Sequence, residues 1–419
     1  MTTTRTNDAP QALNVAGAID DGPFTNYQKF VIAAAASLIV LDGMDGQLLA
    51  HAIPAMTDEW NVPRAAMATA SAAAPFGMIF GGVLGGMLGD RAGRRIALLG
   101  SVISFGVLTL AAAFVTTIPM LTLVRFAAGV GLGGAMPNAA ALVAELAPRR
   151  HRPLAITATI VCIPLGGFLG GVIAGQIIPL YGWRALFVVG GLVPAVLALS
   201  LVKILPESPG FLAARGQSRG SVAALFAPDL RRDTASLIAA FMSCLLAIWM
   251  AFLWIPAMLT DAAVGFAQAD ASYALSLFNL GGVAGALVGA IAIQRFGSRL
   301  ALLTITGLSV LAALTMAGLP PSTQAFFRTM ALFAITGALM NAVQATMYAL
   351  AAHVFPTSIR GTGVGTAVAT GRVGNVLASY VASWALVAGG PPLFFATWAG
   401  ALTIVFVALA MIRRHIPRS

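Results

Sequence analysis

Charge is what this sequence has least of. Asp, Glu, Lys and Arg together make up 9% of its 419 residues, against about 25% in a soluble globular domain. The mean hydropathy is +0.90. With so few charged side chains, no polar shell can cover the apolar ones, and a water-soluble fold is excluded. Cysteine is nearly absent too. Cys162 and Cys244 each sit inside an apolar run, so neither a disulfide framework nor a thiolate metal site is expected. Acids number 14 against 24 Lys and Arg, a net charge of +10. Such an excess points to nucleic acid only where the cations gather on one accessible face, and here they are scattered between apolar runs. Also missing are a nucleophile, base and orienter cluster, a metal-ligand spacing and a phosphate-binding loop. An enzyme, a resident cofactor and a metal are therefore not expected. Residues 1–27 are polar and carry no basic stretch leading into a short apolar core, so no cleavable signal peptide is expected.

What is present is apolar length. Runs of about 20 residues, enough to cross a bilayer, fall near 28–50, 66–88, 96–115, 119–143, 154–178, 184–204, 236–259, 272–294, 300–319, 323–351, 362–388 and 393–412. With both ends on one side, 19 of the 24 cations lie in the tails or loops of that side, and only Arg64 and Arg184 lie in loops of the other. By the positive-inside rule that side is the cytoplasm. The expected layout is an all-α membrane protein: tail 1–27, six-helix bundle 28–204, cytoplasmic loop 205–235, six-helix bundle 236–412 and tail 413–419. Three cations remain within spans: Arg125, Arg328 and Arg372. Arg328 lies within snorkelling range of the interface; the other two are deep.

The two bundles read as copies. "GMLGDRAGRR" (86–95) after the second span is matched by "AIAIQRFGSR" (290–299) after the eighth, sharing Arg91/Arg295, Gly93/Gly297 and Arg95/Arg299. "AELAPRRHRP" (144–153) is matched by "AHVFPTSIRG" (352–361), sharing Pro148/Pro356 and Arg152/Arg360. Duplicated six-helix halves are a transporter signature, with the substrate site between them near the midplane. These motifs resemble the major facilitator superfamily over residues 25–412. "GMLGDRAGRR" is similar to its signature loop, "RFAAGVGLGG" (125–134) to its fourth helix, and "LPESPGFL" (205–212) to the segment after helix six in sugar and organic-acid porters. Within the superfamily, "LDGMDGQ" in the first span with "GRVGN" in the eleventh resembles the aromatic acid:proton symporters.

Each motif also has a physical reading. Gly86 is expected to admit a neighbouring helix. Asp90 can face a helix N-terminus or pair with an arginine, Gly93 permits a tight reversal, and Arg91 and Arg94 hold the cytoplasmic side. Glu145 is expected to pair with Arg149, Arg152 or the loop arginines. With Arg295 and Arg360 these form the expected gate. Gln294 stands where the copy of Asp90 would be, and His353 replaces Glu145. His51, just past the first span, and His353 are read as solvated or carbonyl-bonded before they are read as pH sensors.

Asp42 and Asp45, one helical turn apart, are the unexpected acids. Leaving an ionised carboxylate mid-bilayer costs about 2.5–3.5 kcal/mol on the most forgiving scale. Two so close repel when both are ionised, so one is expected to hold a proton, as a proton carrier must. The alternative is permanent neutralisation by Arg125 or Arg372. Arg372, with Asn375 one turn on, suits a carboxylate ligand, whose two oxygens match a guanidinium fork. The resemblance implies that Arg125 lines the cavity of the first half, where it serves substrate or balances the acids. Trp249, Phe278, Asn279, Gln344 and Tyr348 can supply a slot for a ring. The expectation is a proton-coupled importer of a small aromatic carboxylate, working as a monomer in a bacterial inner membrane, with an organic anion, protons and lipid as partners and no nucleic acid. The alternatives are a porter of another organic acid or of a sugar, and a proton-driven drug exporter.

Overall fold

The computed structural model describes residues 22–148, 150–208, 222–356 and 359–418. Among them the regular structure is helical, with no strand. The helices are α1 (Asn26–Trp60), α2 (Ala68–Ala92), α3 (Arg94–Ala112), α4 (Ile118–Leu146), α5 (Arg152–Leu201), α6 (Arg231–Leu259), α7 (Gln268–Phe296), α8 (Ser298–Gly318), α9 (Phe326–Val354) and α10 (Arg360–Met411). The first five form one half and the last five the other.

Two of these elements are far too long to be single spans. At 50 and 52 residues, α5 and α10 would each extend about 75 Å if straight, against a hydrocarbon layer of about 30 Å. Each breaks at glycine. In α5, Gly182 takes φ 76° and ψ 172°. Gly170 before it and Gly190 after it pack on Met44 and Leu48, one turn apart on α1, so the chain reverses at Gly182. In α10 the break is at Gly389 and Gly390, ahead of Pro391 and Pro392. Gly371 packs on Phe241 and Leu245 of α6, yet the N–H of Arg413 donates to Asp233 in the first turn of the same helix. The second limb therefore returns. Counting both limbs, the chain crosses twelve times, in two six-helix bundles. Large apolar side chains such as Leu84, Val107, Leu123, Val288 and Leu311 stay exposed on the outside, as lipid contact requires.

Within each half the helices meet backbone to backbone. Gly77, Gly81 and Gly85 of α2 face Phe126, Val130 and Gly134 of α4, and a Cβ on any of them would collide with that backbone. Their counterparts 204 residues on, Gly281 and Gly285, press on Ala334 and Ala338 of α9 in the same way. Dispersion between closely approaching backbones holds helices in lipid, where no hydrophobic difference between helix and solvent exists to drive them together. The reversals between α2 and α3 and between α7 and α8 repeat as well, with Gly93 at φ 108° and Gly297 at φ 77°. Only glycine adopts that region freely.

The boundaries depart from expectation at α1. It runs to Trp60, capped by Asn61 in the left-handed region with its N–H on the Thr57 carbonyl, so His51 lies inside the helix and is fully buried. Gly86 departs as well: among the described residues nothing lies within 4 Å of where its Cβ would sit. The close approach belongs to Gly81 and Gly85, on the neighbouring face. Gly85→Ala is accordingly expected to lower stability by about 1–3 kcal/mol through overpacking, and Gly86→Ala to leave it unchanged. Thermal unfolding of the two variants in the same detergent checks the contrast.

Candidate functional site

The two acids of α1 have different surroundings. Asp45 is completely enclosed. Thr109 of α3 donates its hydroxyl to Oδ1, and Arg125 of α4 donates from Nη1 to Oδ2 at 3.3 Å and from Nη2 to the Asp45 carbonyl at 3.3 Å. Arg125 itself is 1% exposed. The two charges meet inside one half, with Arg125 Nε left without a hydrogen-bond partner among the described residues. In this structure Arg125 therefore offers Asp45, not the cavity, its fork. Asp42, a turn earlier, is nearly as buried, but its Oδ1 has no hydrogen-bond partner among the described residues. The charges that act on it are those of Asp45 and of Arg372, in the other half.

Arg372 lies in the first limb of α10 and reaches across to the first half, where Nη1 donates to the Met78 carbonyl of α2. It occupies the space that a side chain at residue 82 would fill, so Gly82 makes its passage possible. Tyr348 of α9, stacked edge-on against Phe241 at 5.2 Å, is the other polar group acting on it. Asn375 is buried one turn on, its Oδ1 unpartnered. The structure thus gathers Asp42, Arg372, Asn375 and Tyr348 around the junction of the halves.

It does not gather all of the expected slot. Phe278 is fully buried in an aromatic chain between Phe252 (5.9 Å) and Trp398 (6.1 Å). Asn279 spends its amide on Gln47 of α1 at 2.8 Å and on the Leu275 carbonyl, which makes it a strut between the halves. Trp249 is half-buried against Phe252 at 6.2 Å, and Gln344 is half-buried on α9. Arg328 is exposed and donates to the Pro320 carbonyl.

At the arginine-rich face Asp90 pairs with Arg94 at 2.9 Å, while Arg91 and Arg295 are exposed. The helix N-terminus expected for Asp90 is taken by Glu207. Its Oε1 accepts from the N–H of Arg95 at 3.1 Å and of Ser208 at 2.9 Å, an anion placed on the positive end of α3. Glu145 accepts the Ser208 hydroxyl. Arg149 and the side chains of Arg152 and Arg360 lie outside the described residues. At the opposite face Arg64 donates to the carbonyls of Ala257 and Thr260 and to Asp261 at 3.4 Å. His51 Nδ1 meets Ser272 at 3.2 Å, and Gln268 donates to the His51 carbonyl. These bonds tie the halves together on the arginine-poor side. Glu207, Gln47 and Arg64 went unread as site residues because their partners lie 112, 232 and 193 residues away; the "PES" run and the isolated outer arginine were their only signals.

A buried ion pair broken on one side costs about 3–5 kcal/mol. Arg125→Ala and Asp45→Ala are each expected to destabilise the protein by that order, and the double variant by clearly less than their sum. Thermal midpoints of the three in detergent measure the coupling.

A sequence profile of the Major Facilitator Superfamily matches residues 35–327 and 258–419. The chain is 31% identical to the 4-hydroxybenzoate transporter PcaK of Pseudomonas aeruginosa, over 89% of each chain. It is 34% identical to the 3-(3-hydroxy-phenyl)propionate transporter of Escherichia coli, over 84% and 85%, and 29% identical to a gallate transporter of Pseudomonas putida, over 93% and 92%. Among solved structures it is similar to a D-xylose-proton symporter, with a TM-score of 0.73 at 20% identity over 94% and 99% of the two chains. A bacterial homologue of the lysosomal transporter Spinster gives 0.74 at 17%, over 93% and 96%. With the profile spanning both halves and relatives aligned along nearly their whole length, the chain belongs to the Major Facilitator Superfamily.

Proposed function

We propose that this transporter imports a small aromatic carboxylate together with a proton, by alternating access, across a bacterial inner membrane with both termini in the cytoplasm. The observation that carries the reading is a placement across the halves: a buried acid whose Oδ1 has no hydrogen-bond partner among the described residues, Asp42, in one half, and in the other a half-buried guanidinium, Arg372, that reaches across to the Met78 carbonyl of the first. Similarity to transporters of 4-hydroxybenzoate, gallate and 3-(3-hydroxy-phenyl)propionate supports the choice of cargo.

The chemistry follows from competition for one cation. While Asp42 is ionised, it holds Arg372 electrostatically. A proton taken from the acidic outside removes that anion and leaves the guanidinium to the cargo's carboxylate. Release of the proton inside restores the carboxylate on Asp42, which draws Arg372 back and expels the cargo. Entry of one proton per anion also cancels the opposition of an inside-negative potential, about 2.3 kcal/mol per 100 mV for a lone monovalent anion. Asp45, held by Arg125 and Thr109, positions α1. Trp249, Gln344 and Tyr348 border the cavity beside the cargo, while Phe278 and Asn279 support it from behind. The Asp90–Arg94 pair, Glu145, Glu207 and the basic loop residues work as the inner gate, and Arg64 as the outer one.

In liposomes, an acid-outside gradient is expected to accelerate uptake of labelled 4-hydroxybenzoate. Asp42→Asn should abolish that acceleration while leaving exchange of cargo for cargo; gradient-driven accumulation in the variant refutes the assignment. Arg64→Ala should shift the population toward the outward-open form, read as faster labelling of a cysteine placed at Ser272 from the arginine-poor side. Unchanged labelling would remove Arg64 from the gate.

A further inference from the structure

Three buried polar side chains near Arg372 have no hydrogen-bond partner among the described residues: Ser71 Oγ on α2, and Asn375 Oδ1 and Ser379 Oγ on the first limb of α10. Ser71 is 1% exposed, Asn375 5% and Ser379 0%. A serine in a helix ordinarily returns its hydroxyl to a carbonyl one turn back, as Ser276 and Ser309 do here. Ser71 and Ser379 do not.

Their placement is coherent. Ser71 precedes Met78 and Gly82, the residues on which Arg372 lies, by seven and eleven positions. At about 100° per residue all three share one face of α2 within about 20°. Asn375 and Ser379 follow Arg372 by three and seven positions, again on one face. The two helices run antiparallel. From the Met78–Arg372 contact, Ser71 and Ser379 therefore both stand seven residues, about 10 Å, toward the arginine-poor side, with Asn375 between. Ala72, Ala73, Val376 and Tyr380 line one lateral groove, which confirms the register. That groove is closed on one side by Ile118, Thr122 and Phe126 of α4, on which Gly77 and Gly81 of α2 also pack, while Gly371 and Gly374 of the α10 limb pack on α6; at about 100° per residue Ser71 lies on the face of α2 away from the groove. The face holding the three polar groups turns between these contacts, toward the interior.

We propose that Ser71, Asn375 and Ser379 form a hydroxyl-reading subsite, which makes the cargo a hydroxylated aromatic acid rather than an unsubstituted one. This rests on the reading that Arg372 receives the carboxylate. About 10 Å of helix rise is more than two hydrogen bonds of about 3 Å can bridge, so the body of the cargo lies between a carboxylate held at Arg372 and a group held at the serines. Hydroxyls that donate and accept, beside an amide oxygen that accepts, suit a phenol, which does both. A ring without the hydroxyl leaves these groups unpaired, which is how such sites reject it.

The test is competition against labelled 4-hydroxybenzoate on the purified, reconstituted protein, with 4-hydroxybenzoate, benzoate and 4-methylbenzoate as competitors. The unaltered protein is expected to prefer the hydroxylated acid to both others by about tenfold or more. Ser379→Ala and Ser71→Ala should each erase about fivefold of that preference, the worth of one hydrogen bond, through weaker binding of 4-hydroxybenzoate, tighter binding of benzoate, or both, with the thermal midpoint unchanged. Equal affinity for the three acids, all transported, overturns the subsite and leaves the importer reading standing. Loss of benzoate and 4-hydroxybenzoate binding in the same proportion in both variants also overturns it. Failure of the unaltered protein to take up any of the acids overturns the importer reading, and the subsite with it.

Discussion

A charge carried into hydrocarbon must be answered by another charge or be neutralised, and the whole centre of this protein is arranged around that demand. Asp45 and Arg125 answer each other at 3.3 Å. At an effective dielectric of about 20 their attraction is of the order of 5 kcal/mol, most of it consumed by the loss of hydration. The pair is kept worthwhile by its further bonds, from Thr109 to the carboxylate and from Arg125 to the backbone carbonyl. These tie α1 to α3 and α4. With both Nη atoms of Arg125 on Asp45, Asp42 Oδ1 is left without a hydrogen-bond partner among the described residues. In the proposed cycle its demand is met from the other half, by Arg372, so that the positions of the halves and the charge of Asp42 become a single problem.

The seams between helices divide the labour. Inside each half, glycines bring backbones into direct contact, as Gly81 does with Val130 and Gly285 with Ala338. Such contacts have no substitute once parted, which favours each half moving as a unit. Between the halves Gly171 of α5 approaches Ser272 and Ser276 of α7, and the other ties include side-chain hydrogen bonds: Gln47 to Asn279, His51 to Ser272, Arg64 to the end of α6. Water can replace each of those at small cost, so the interface can open without either half being disrupted. Alternating access needs this contrast between stiff halves and an exchangeable junction.

The fold was legible because lipid imposes a simple code. Apolar length marks the spans, the arginines mark one face, and the repeated glycine and arginine spacings mark the duplication. The site was legible only where a residue violates that code, as Asp42, Asp45, Arg125 and Arg372 do. Residues that obey it were opaque. Phe278 and Trp249 look alike in sequence, yet one is sealed in an aromatic core and the other half-buried, a distinction set by rotation about a helix whose amphipathic signal lipid erases. Gly86 and Gly85 are adjacent glycines, and only Gly85 meets a neighbouring helix. Glu207 serves the N-terminus of a helix 112 residues earlier, which no local pattern encodes.

The duplication also shows where the two copies had to diverge. The stretch of α6 that stands opposite the two acids of α1, residues 244–249, is "CLLAIW" and carries no charge. The counterpart of Arg125, 208 residues on, is Phe333, and that of Arg372, 208 residues back, is Pro164. The acid therefore sits in one half alone and the unpaired guanidinium in the other. Had each half kept both, every charge would be satisfied internally, and the energy of the centre would not depend on how the halves stand. In the proposed cycle, with opposite signs divided between them, the attraction of Asp42 for Arg372 varies with the opening of the junction, and a proton that removes one of the charges changes which opening is preferred. Coupling of a proton to a movement needs that asymmetry, and a perfectly symmetrical duplicate could not supply it.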